Sequence, residues 1–119
     1  MKYLLPLLLL IPSFCSADEW TKSDTGREVV YLILHVADWG QTRNGVHRES
    51  EGYWEINPIL GKHPSIKRVD THFTVTAIAH VAIAYALPRK WREAFQYTTA
   101  GIEAVFVIDN NSIGLRVDF

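Results

Sequence analysis

The sequence predicts an all-α protein, in which a signal peptide precedes a three-helix, membrane-associated bundle with a long ordered loop between its first two helices. Three observations lead to this fold class. The first residues have the composition of a secretory leader. Three apolar runs of roughly 12 to 18 residues follow, a length typical of helices. A stretch rich in glycine and proline separates the first run from the other two.

Residues 1–17 are predicted to be a signal peptide. Lys2 supplies a positive charge, an apolar stretch runs to Phe14, and Cys15-Ser16-Ala17 presents the small residues that a signal peptidase recognises. Cleavage is therefore expected between Ala17 and Asp18. An uncleaved transmembrane helix is disfavoured, because the segment is shorter than the roughly 20 apolar residues that cross a bilayer.

The rest of the chain, residues 18–119, has the length of a single helical domain. The only cysteine, Cys15, falls in the predicted leader, so the mature chain is expected to form no disulfide. The formal net charge is -1, which gives no electrostatic reason for binding to nucleic acid. We therefore expect no nucleic-acid partner.

The first helix is predicted over residues 25–43. Thr25 and Glu28 have the spacing of a capping box, in which a hydroxyl and a carboxylate satisfy free backbone amides at the start of a helix. The centre of the helix is apolar on nearly all sides apart from His35 and Asp38. This pattern is typical of a helix that is buried either in protein or in a membrane.

The segment 44–68 is predicted to be the long ordered loop. Its glycines and prolines interrupt regular structure, and its aromatic and aliphatic residues allow it to fold back on the protein. Asn57 precedes a proline and is expected to start a turn, with Glu55 accepting a hydrogen bond from a helix end. A structural latch is the default interpretation, and a ligand site formed with Asp38 and His80 is the alternative.

Two further helices are predicted over residues 69–87 and 89–108. The earlier one is very apolar and rich in alanine, and small residues let helices approach closely, as they do within a bilayer. Pro88 ends it, while Asn110 and Gly114 are expected to end the last helix. Between the two lies a basic and aromatic corner suited to the headgroup layer of a membrane, formed by Arg89, Lys90, Trp91 and Arg92.

The apolar runs favour three short, tilted transmembrane helices over a soluble periplasmic bundle. A soluble bundle needs polar residues on the outer faces of its second and third helices, and the sequence supplies few there. The basic residues are divided almost evenly between the two ends of the predicted helices. The orientation in a membrane is therefore left open.

Several polar residues stand among the apolar runs and are candidates for a buried polar cluster. A buried histidine or carboxylate needs a partner, so we expect His80 and Glu103 to pair with each other or with Asp38. The candidate cluster comprises Asp38, Thr42, Glu55, Asn57, His80 and Glu103.

Two functions of this cluster are possible. It either fixes the helices to the loop, or it faces a pocket and supplies the acid and base groups of a ligand-binding module or small enzyme. No catalytic residue is assigned, since the sequence has neither a nucleophile elbow nor a phosphate-binding glycine loop. A non-enzymatic role is favoured, and an enzymatic one is left open.

Four polar residues of the predicted helices are candidate metal ligands. His35, Asp38, His80 and Glu103 could act as ligands, because helical imidazoles and carboxylates facing a bundle core make such sites. The sequence has no Glu-x-x-His or His-x-x-x-His pair on these helices. We therefore expect no metal and no other cofactor.

A longer pattern of residues runs through most of the mature chain. Its most specific part is Asn57-Pro58-x-Leu60-Gly61-x-x-Pro64-Ser65. Around this block stand Trp20, Asp38 with Gln41-Thr42, Glu55, His80, Leu87-Pro88-Arg89-Lys90-x-Arg92, Glu103 and Asn110 through Gly114. In this pattern the chain resembles a family of small uncharacterised exported membrane proteins of tailed phages and of bacteria that carry prophages. The resemblance implies a phage or prophage origin and the bacterial envelope as destination, and it implies no particular activity.

The expected function is that of a small exported integral membrane protein that acts without catalysis in the bacterial envelope. Modification of the host envelope, exclusion of a second phage and assistance of lysis are the roles considered. A lipid bilayer is the expected partner, and a protein partner is left open. The bacterial inner membrane is the expected location, with the periplasm as the alternative.

Overall fold

The computed structural model describes residues 18–119, which form three α-helices. These are α1 (Lys22–His47), α2 (Ile66–Ala86) and α3 (Arg89–Ser112), and a single turn of 3-10 helix follows α1 at Glu49–Glu51. No β-strand occurs in this part of the chain. The predicted all-helical class with three helices is confirmed. The predicted signal peptide, residues 1–17, lies outside the described residues.

The start of α1 differs from the prediction, because a different capping box forms. Thr21 and Asp24 satisfy each other's backbone amides, with Asp24 N donating to Thr21 Oγ1 over 3.2 Å and Thr21 N donating to Asp24 Oδ2 over 2.8 Å. Thr25 therefore lies inside the helix, where its hydroxyl accepts a hydrogen bond from Trp20. The pair Thr21 and Asp24 has the same spacing as Thr25 and Glu28, so spacing alone did not distinguish them.

The second and third helices also differ from their predicted bounds, since α2 begins three residues earlier and ends one residue earlier, and α3 ends four residues later. Ser65 caps α2, and its Oγ accepts from Arg68 N over 3.1 Å. The last helix continues through Asn110 and Asn111 and ends near Gly114, whose φ of 96° lies in the left-handed region. Only Gly114 of the predicted terminating residues therefore closes α3.

The helix α1 is the central element of the bundle. It packs against both α2 and α3, whereas α2 and α3 contact each other little. The order of the paired residues shows that α3 runs parallel to α1, since Arg27 contacts Gln96 and His35 contacts Glu103. The helix α2 runs antiparallel, because Glu28 of α1 contacts His80, further along the chain than Phe73, which contacts His35.

The interior of the bundle is more polar than its outer surface. A small apolar core of Leu60, Val69 and Phe73 lies near the loop, with Trp39 and Val46 packed against it. Among the described residues, nine buried side chains are polar or charged and six are apolar, so polar contacts dominate the helix interfaces. The polar ones are Asp24, Glu28, His35, Gln41, Thr42, His80, Arg92, Gln96 and Glu103.

Large apolar side chains cover the outer faces of all three helices. Ile33 on α1, Ile78 on α2 and Ile108 on α3 are 64%, 66% and 66% exposed. None of the described helices combines the length and the apolar character needed to cross a membrane.

The C-terminal residues fold back along α1. Asp118 N donates a hydrogen bond to Gly40 O over 3.2 Å, and Phe119 packs edge-on against Trp39. Gly40 is required for this close approach, because a Cβ atom there would lie 2.5 Å from Cγ1 of Val117.

Candidate functional site

The buried polar residues form three layers along α1. The first layer joins the starts of α1 and α3. Arg92 donates to Asp24 Oδ2 over 2.9 Å, and Gln96 Nε2 donates to Asp24 O over 3.0 Å and to Glu28 Oε2 over 2.9 Å. The side chains of Asp24, Arg92 and Gln96 are fully buried. This layer is a closed, hydrogen-bonded ion pair.

The position of Arg92 contradicts its predicted place at a membrane interface. Arg89, Lys90 and Trp91 are exposed, whereas Arg92 points into the bundle. Its guanidinium also donates to Ala84 O over 2.7 Å and to Tyr85 O over 3.1 Å. The physical reason is that the last carbonyls of α2 lack helical partners and attract a cation.

The second layer is centred on His80. Its Nδ1 lies 2.6 Å from Glu28 Oε1 and its Nε2 lies 2.7 Å from Thr99 Oγ1, while the Tyr31 ring stacks on the imidazole. Burial lowers the pKa of His80, although the Glu28 carboxylate opposes this effect. The expected pairing of His80 with Glu103 or Asp38 is therefore wrong, and this layer is also closed.

The third layer pairs His35 with Glu103. His35 Nδ1 lies 2.8 Å from Glu103 Oε1, and His35 Nε2 lies 3.0 Å from Phe73 O. Burial tends to lower the pKa of His35, but the hydrogen bonds to Glu103 and to Phe73 O outweigh it and raise the pKa. The other oxygen of Glu103, Oε2, is buried and has no hydrogen-bond partner among the described residues.

Asp38 lies one turn after His35 on α1, and its carboxyl lies near that of Glu103. Asn110 Nδ2 donates to Asp38 Oδ1 over 2.8 Å. Burial, followed by the negative charge of Glu103, raises the pKa of Asp38 to about 7. Asp38 therefore binds a proton at a higher pH than an exposed aspartate does.

A cavity of about 390 Å³ opens beside Asp38, between α1, α3 and the loop. We call it the acidic cavity. Four members of the predicted cluster line it, namely Asp38, Thr42, Glu55 and Asn57. Glu103 lies behind Asp38, and His80 belongs to the closed second layer. The structure thus divides the predicted cluster into a sealed part and a part that faces an open cavity.

The loop wall of the acidic cavity is held by hydrogen bonds within the loop. Asn57 O accepts from Leu60 N and Gly61 N, both over 3.1 Å, and Asn57 Oδ1 accepts from Ile59 N over 2.9 Å. The turn predicted at Asn57 is therefore present. Glu55 Oε1 accepts from the backbone amides of Ile56 and Asn57 and not from a helix end.

Several residues of the buried network were missed from the sequence, notably Asp24, Gln96 and Asn110. The available signal was their spacing. In α3 the polar positions Arg92, Gln96, Thr99, Glu103 and Asn110 alternate by four and three residues, or by seven, which places them on one helix face. The helix α1 carries the matching stripe Asp24, Glu28, Tyr31, His35, Asp38 and Thr42.

No group of three or more histidine, cysteine, aspartate or glutamate side chains within residues 18–119 is placed to hold a metal ion. Comparison of the chain with protein-family models, with curated proteins and with solved structures gave no match.

Proposed function

We propose that this chain is a membrane-seated protein whose apolar outer faces contact lipid acyl chains. The observation that supports this is the distribution of polarity, with charged pairs between the helices and large aliphatic side chains outside. Soluble proteins rarely expose large contiguous apolar patches, and large apolar side chains are exposed on all three helices here. In a lipid environment, ionisable groups face the protein interior and pair with one another, as they do here.

The two closed layers support a structural, non-enzymatic role for most of the polar interior. Asp24 with Arg92, and Glu28 with His80, satisfy each other and leave no group facing solvent or a cavity. Such pairs set which helix faces meet, because an alternative packing would leave a charge buried without a partner. They fix the positions of α2 and α3 along α1.

The biological setting we propose is the bacterial envelope, reached through the predicted leader. The resemblance to exported proteins of tailed phages supports a role in modifying the host envelope, by excluding a second phage or assisting lysis. Expression of the full chain in a bacterial host should therefore lower the plating efficiency of a tailed phage or increase leakage of a periplasmic reporter enzyme. Unchanged plating and unchanged leakage would contradict this role.

Fractionation of the full chain expressed in bacteria tests whether the protein is held in a membrane. We expect the wild-type chain to remain with the membranes after an alkaline carbonate wash. The double variant Ile33→Asp and Ile78→Asp should pass into the wash, because each charge is placed on an outer apolar face. The matched control, Ser23→Asp with Thr71→Asp, puts the same charges at exposed polar positions of α1 and α2 and should stay with the membranes.

Two results would overturn the proposed membrane association. One is release of the wild-type chain into the wash as a monomer. The other is release as a defined oligomer by light scattering, which would show that copies of the chain cover the apolar faces.

A further inference from the structure

The acidic cavity joins apolar walls to a negatively charged floor. Trp54, Phe73, Phe106 and Leu115 supply aromatic and aliphatic surface, and Asp38 lies at the floor with Asn110 beside it. The volume of about 390 Å³ falls within the range of small-molecule sites, which are mostly apolar with a few convergent polar groups. Its shape and chemistry are those of a site for an amphiphilic molecule.

The floor of the cavity lacks hydrogen-bond donors. Glu103, which neighbours Asp38 outside the cavity lining, is 9% exposed, and its Oε2 has no donor among the described residues. The Asp38 carboxyl beside it receives a hydrogen bond from Asn110 on one oxygen. A buried carboxylate oxygen without a donor is costly, so the floor requires either a proton or a cationic donor.

The basic groups around the cavity contact partners other than Asp38. Arg43 pairs with Asp70 at 2.6 Å, and His35 pairs with the other oxygen of Glu103 at 2.8 Å. Lys62, at the rim, lies over the Trp54 ring with its Nζ 4.8 Å from the ring centre. None of these groups supplies the missing donor, and the charge left at the floor is complementary to a cation.

We propose that the acidic cavity binds an organic ammonium ion, with the ammonium group on the Asp38 carboxyl and the apolar part of the molecule against Trp54 and Phe106. An ammonium group donates up to three hydrogen bonds and would donate to the Asp38 carboxyl at the floor. The aromatic walls add attraction for a cation and burial for its apolar part. This inference does not depend on whether the protein is seated in a membrane.

Binding of the ammonium ion should release a proton from the floor. Without ligand, burial and the charge of Glu103 raise the pKa of Asp38 to about 7, so Asp38 holds a proton below that pH. An alkylammonium ion keeps its own proton, because its pKa is close to the value of about 10.4 for lysine. The ligand therefore replaces the proton of Asp38, and affinity should rise roughly tenfold between pH 6 and pH 8, as the ionised fraction of Asp38 increases.

As pH rises, the charges of the other titratable groups around the floor either change in the direction that favours binding of a cation or stay constant. Glu55 from the loop is a further negative charge, and His35 on α1 loses its positive charge as pH rises. His72 on α2 lies in the field of Glu55 and Glu103, and burial lowers its pKa. Tyr31 on α1 keeps its proton throughout this range, since burial raises its pKa.

Titration calorimetry of the purified protein in nonionic micelles, with hexylamine as the probe, tests the site. Hexanol and hexanoate have the same apolar chain with a different head, so they control for partition into the micelles. We expect saturable binding of hexylamine only, with close to one proton released per molecule bound at pH 6 and few released at pH 8. Equal binding of hexylamine and hexanol would overturn the proposal, as would binding of calcium ion at this site in place of hexylamine.

Two variants locate the binding. Asp38→Asn removes the floor charge and should weaken hexylamine at least about tenfold, while Asp109→Asn, which removes an exposed carboxylate of α3 outside the cavity, should leave affinity unchanged. Ile113→Trp adds bulk at the wall without touching the carboxyls, and it should block binding in a protein that folds normally. Unaltered affinity in both Asp38→Asn and Ile113→Trp would place the amine elsewhere.

Discussion

Arg92 shows how the role of a single residue depends on what its neighbours leave unsatisfied. Its sequence context, between Trp91 and other basic residues, is that of a headgroup-binding arginine. In the structure its guanidinium instead joins Asp24 to the last carbonyls of α2. An arginine suits this position because its planar fork of donors can serve several acceptors at once.

Replacing Arg92 by methionine should destabilise the fold strongly. The variant keeps much of the apolar stem but leaves the Asp24 carboxylate buried with one cation fewer, which we expect to cost about 3 kcal/mol of the free energy of unfolding. Denaturant titration in mild detergent measures this. Arg89→Met, at an exposed position three residues earlier, is the control and should unfold like the wild type. Equal midpoints for the two variants would contradict the structural role of Arg92.

At the scale of elements, α1 holds the C-terminal segment through one glycine. The backbone of Asp118 approaches Gly40 because no side chain intervenes, and His47 and Asn44 of the same helix contact the Asp118 carboxylate at 3.1 and 3.4 Å. Glycine in the middle of a helix lowers its intrinsic stability relative to alanine. Its presence at position 40 is explained by the docking of the segment.

Gly40→Ala should detach residues 115–119 while leaving the three helices folded. A Cβ atom at position 40 would also lie 2.8 Å from the Phe119 ring, so the segment must move away. Hydrogen exchange should then show faster exchange of the Asp118 amide, which loses its acceptor. Gly26→Ala in the same helix meets no atom within 4 Å and should instead gain up to about 1 kcal/mol of stability. Retained protection of the Asp118 amide in Gly40→Ala would disprove the steric argument.

At the scale of the whole molecule, the charged interior makes stability depend on pH. Because the pKa of Asp38 is raised in the folded state, Asp38 keeps its proton there at pH values at which the unfolded chain has already released it. The contribution of Asp38 to the free energy of unfolding therefore falls as pH rises from about 4 to about 7. His35, whose pKa is also raised, contributes stability that is lost as pH rises above its folded pKa. His80, whose pKa is lowered by burial, acts in the opposite direction below about pH 6.5.

Comparison of the wild type with Asp38→Asn isolates the carboxyl from the two histidines. The free energy of unfolding of the wild type, relative to that of the variant, should decrease between pH 5 and pH 8, because only the wild type must ionise Asp38 beside Glu103 and Glu55. Denaturant titrations at several pH values provide the measurement. Parallel pH profiles for the two proteins would show that Asp38 titrates as it does in the unfolded chain.

The helices and the turn at Asn57 could be predicted because their signals are local. Capping residues, proline breaks and apolar runs act within a few positions of where they stand. The pairing of the buried charges could not be predicted, since Glu28, His80 and Glu103 each have several chemically acceptable partners. The packing of α1 between its neighbours decides among these partners. The acidic cavity depends on that packing and on the loop folding back, which spacing along the chain does not encode.

The contact of Arg92 with the start of the described chain bears on the order of events during maturation. Its Nη2 donates to Asp18 O over 2.7 Å and its Nη1 to Glu19 O over 3.1 Å, and the Asp18 carboxylate accepts from Arg89 N at the start of α3. A peptidase acting at the predicted Ala17–Asp18 bond needs this backbone free and extended. Docking of α3 would therefore shield that bond, so removal of the leader there would have to come before the bundle is assembled.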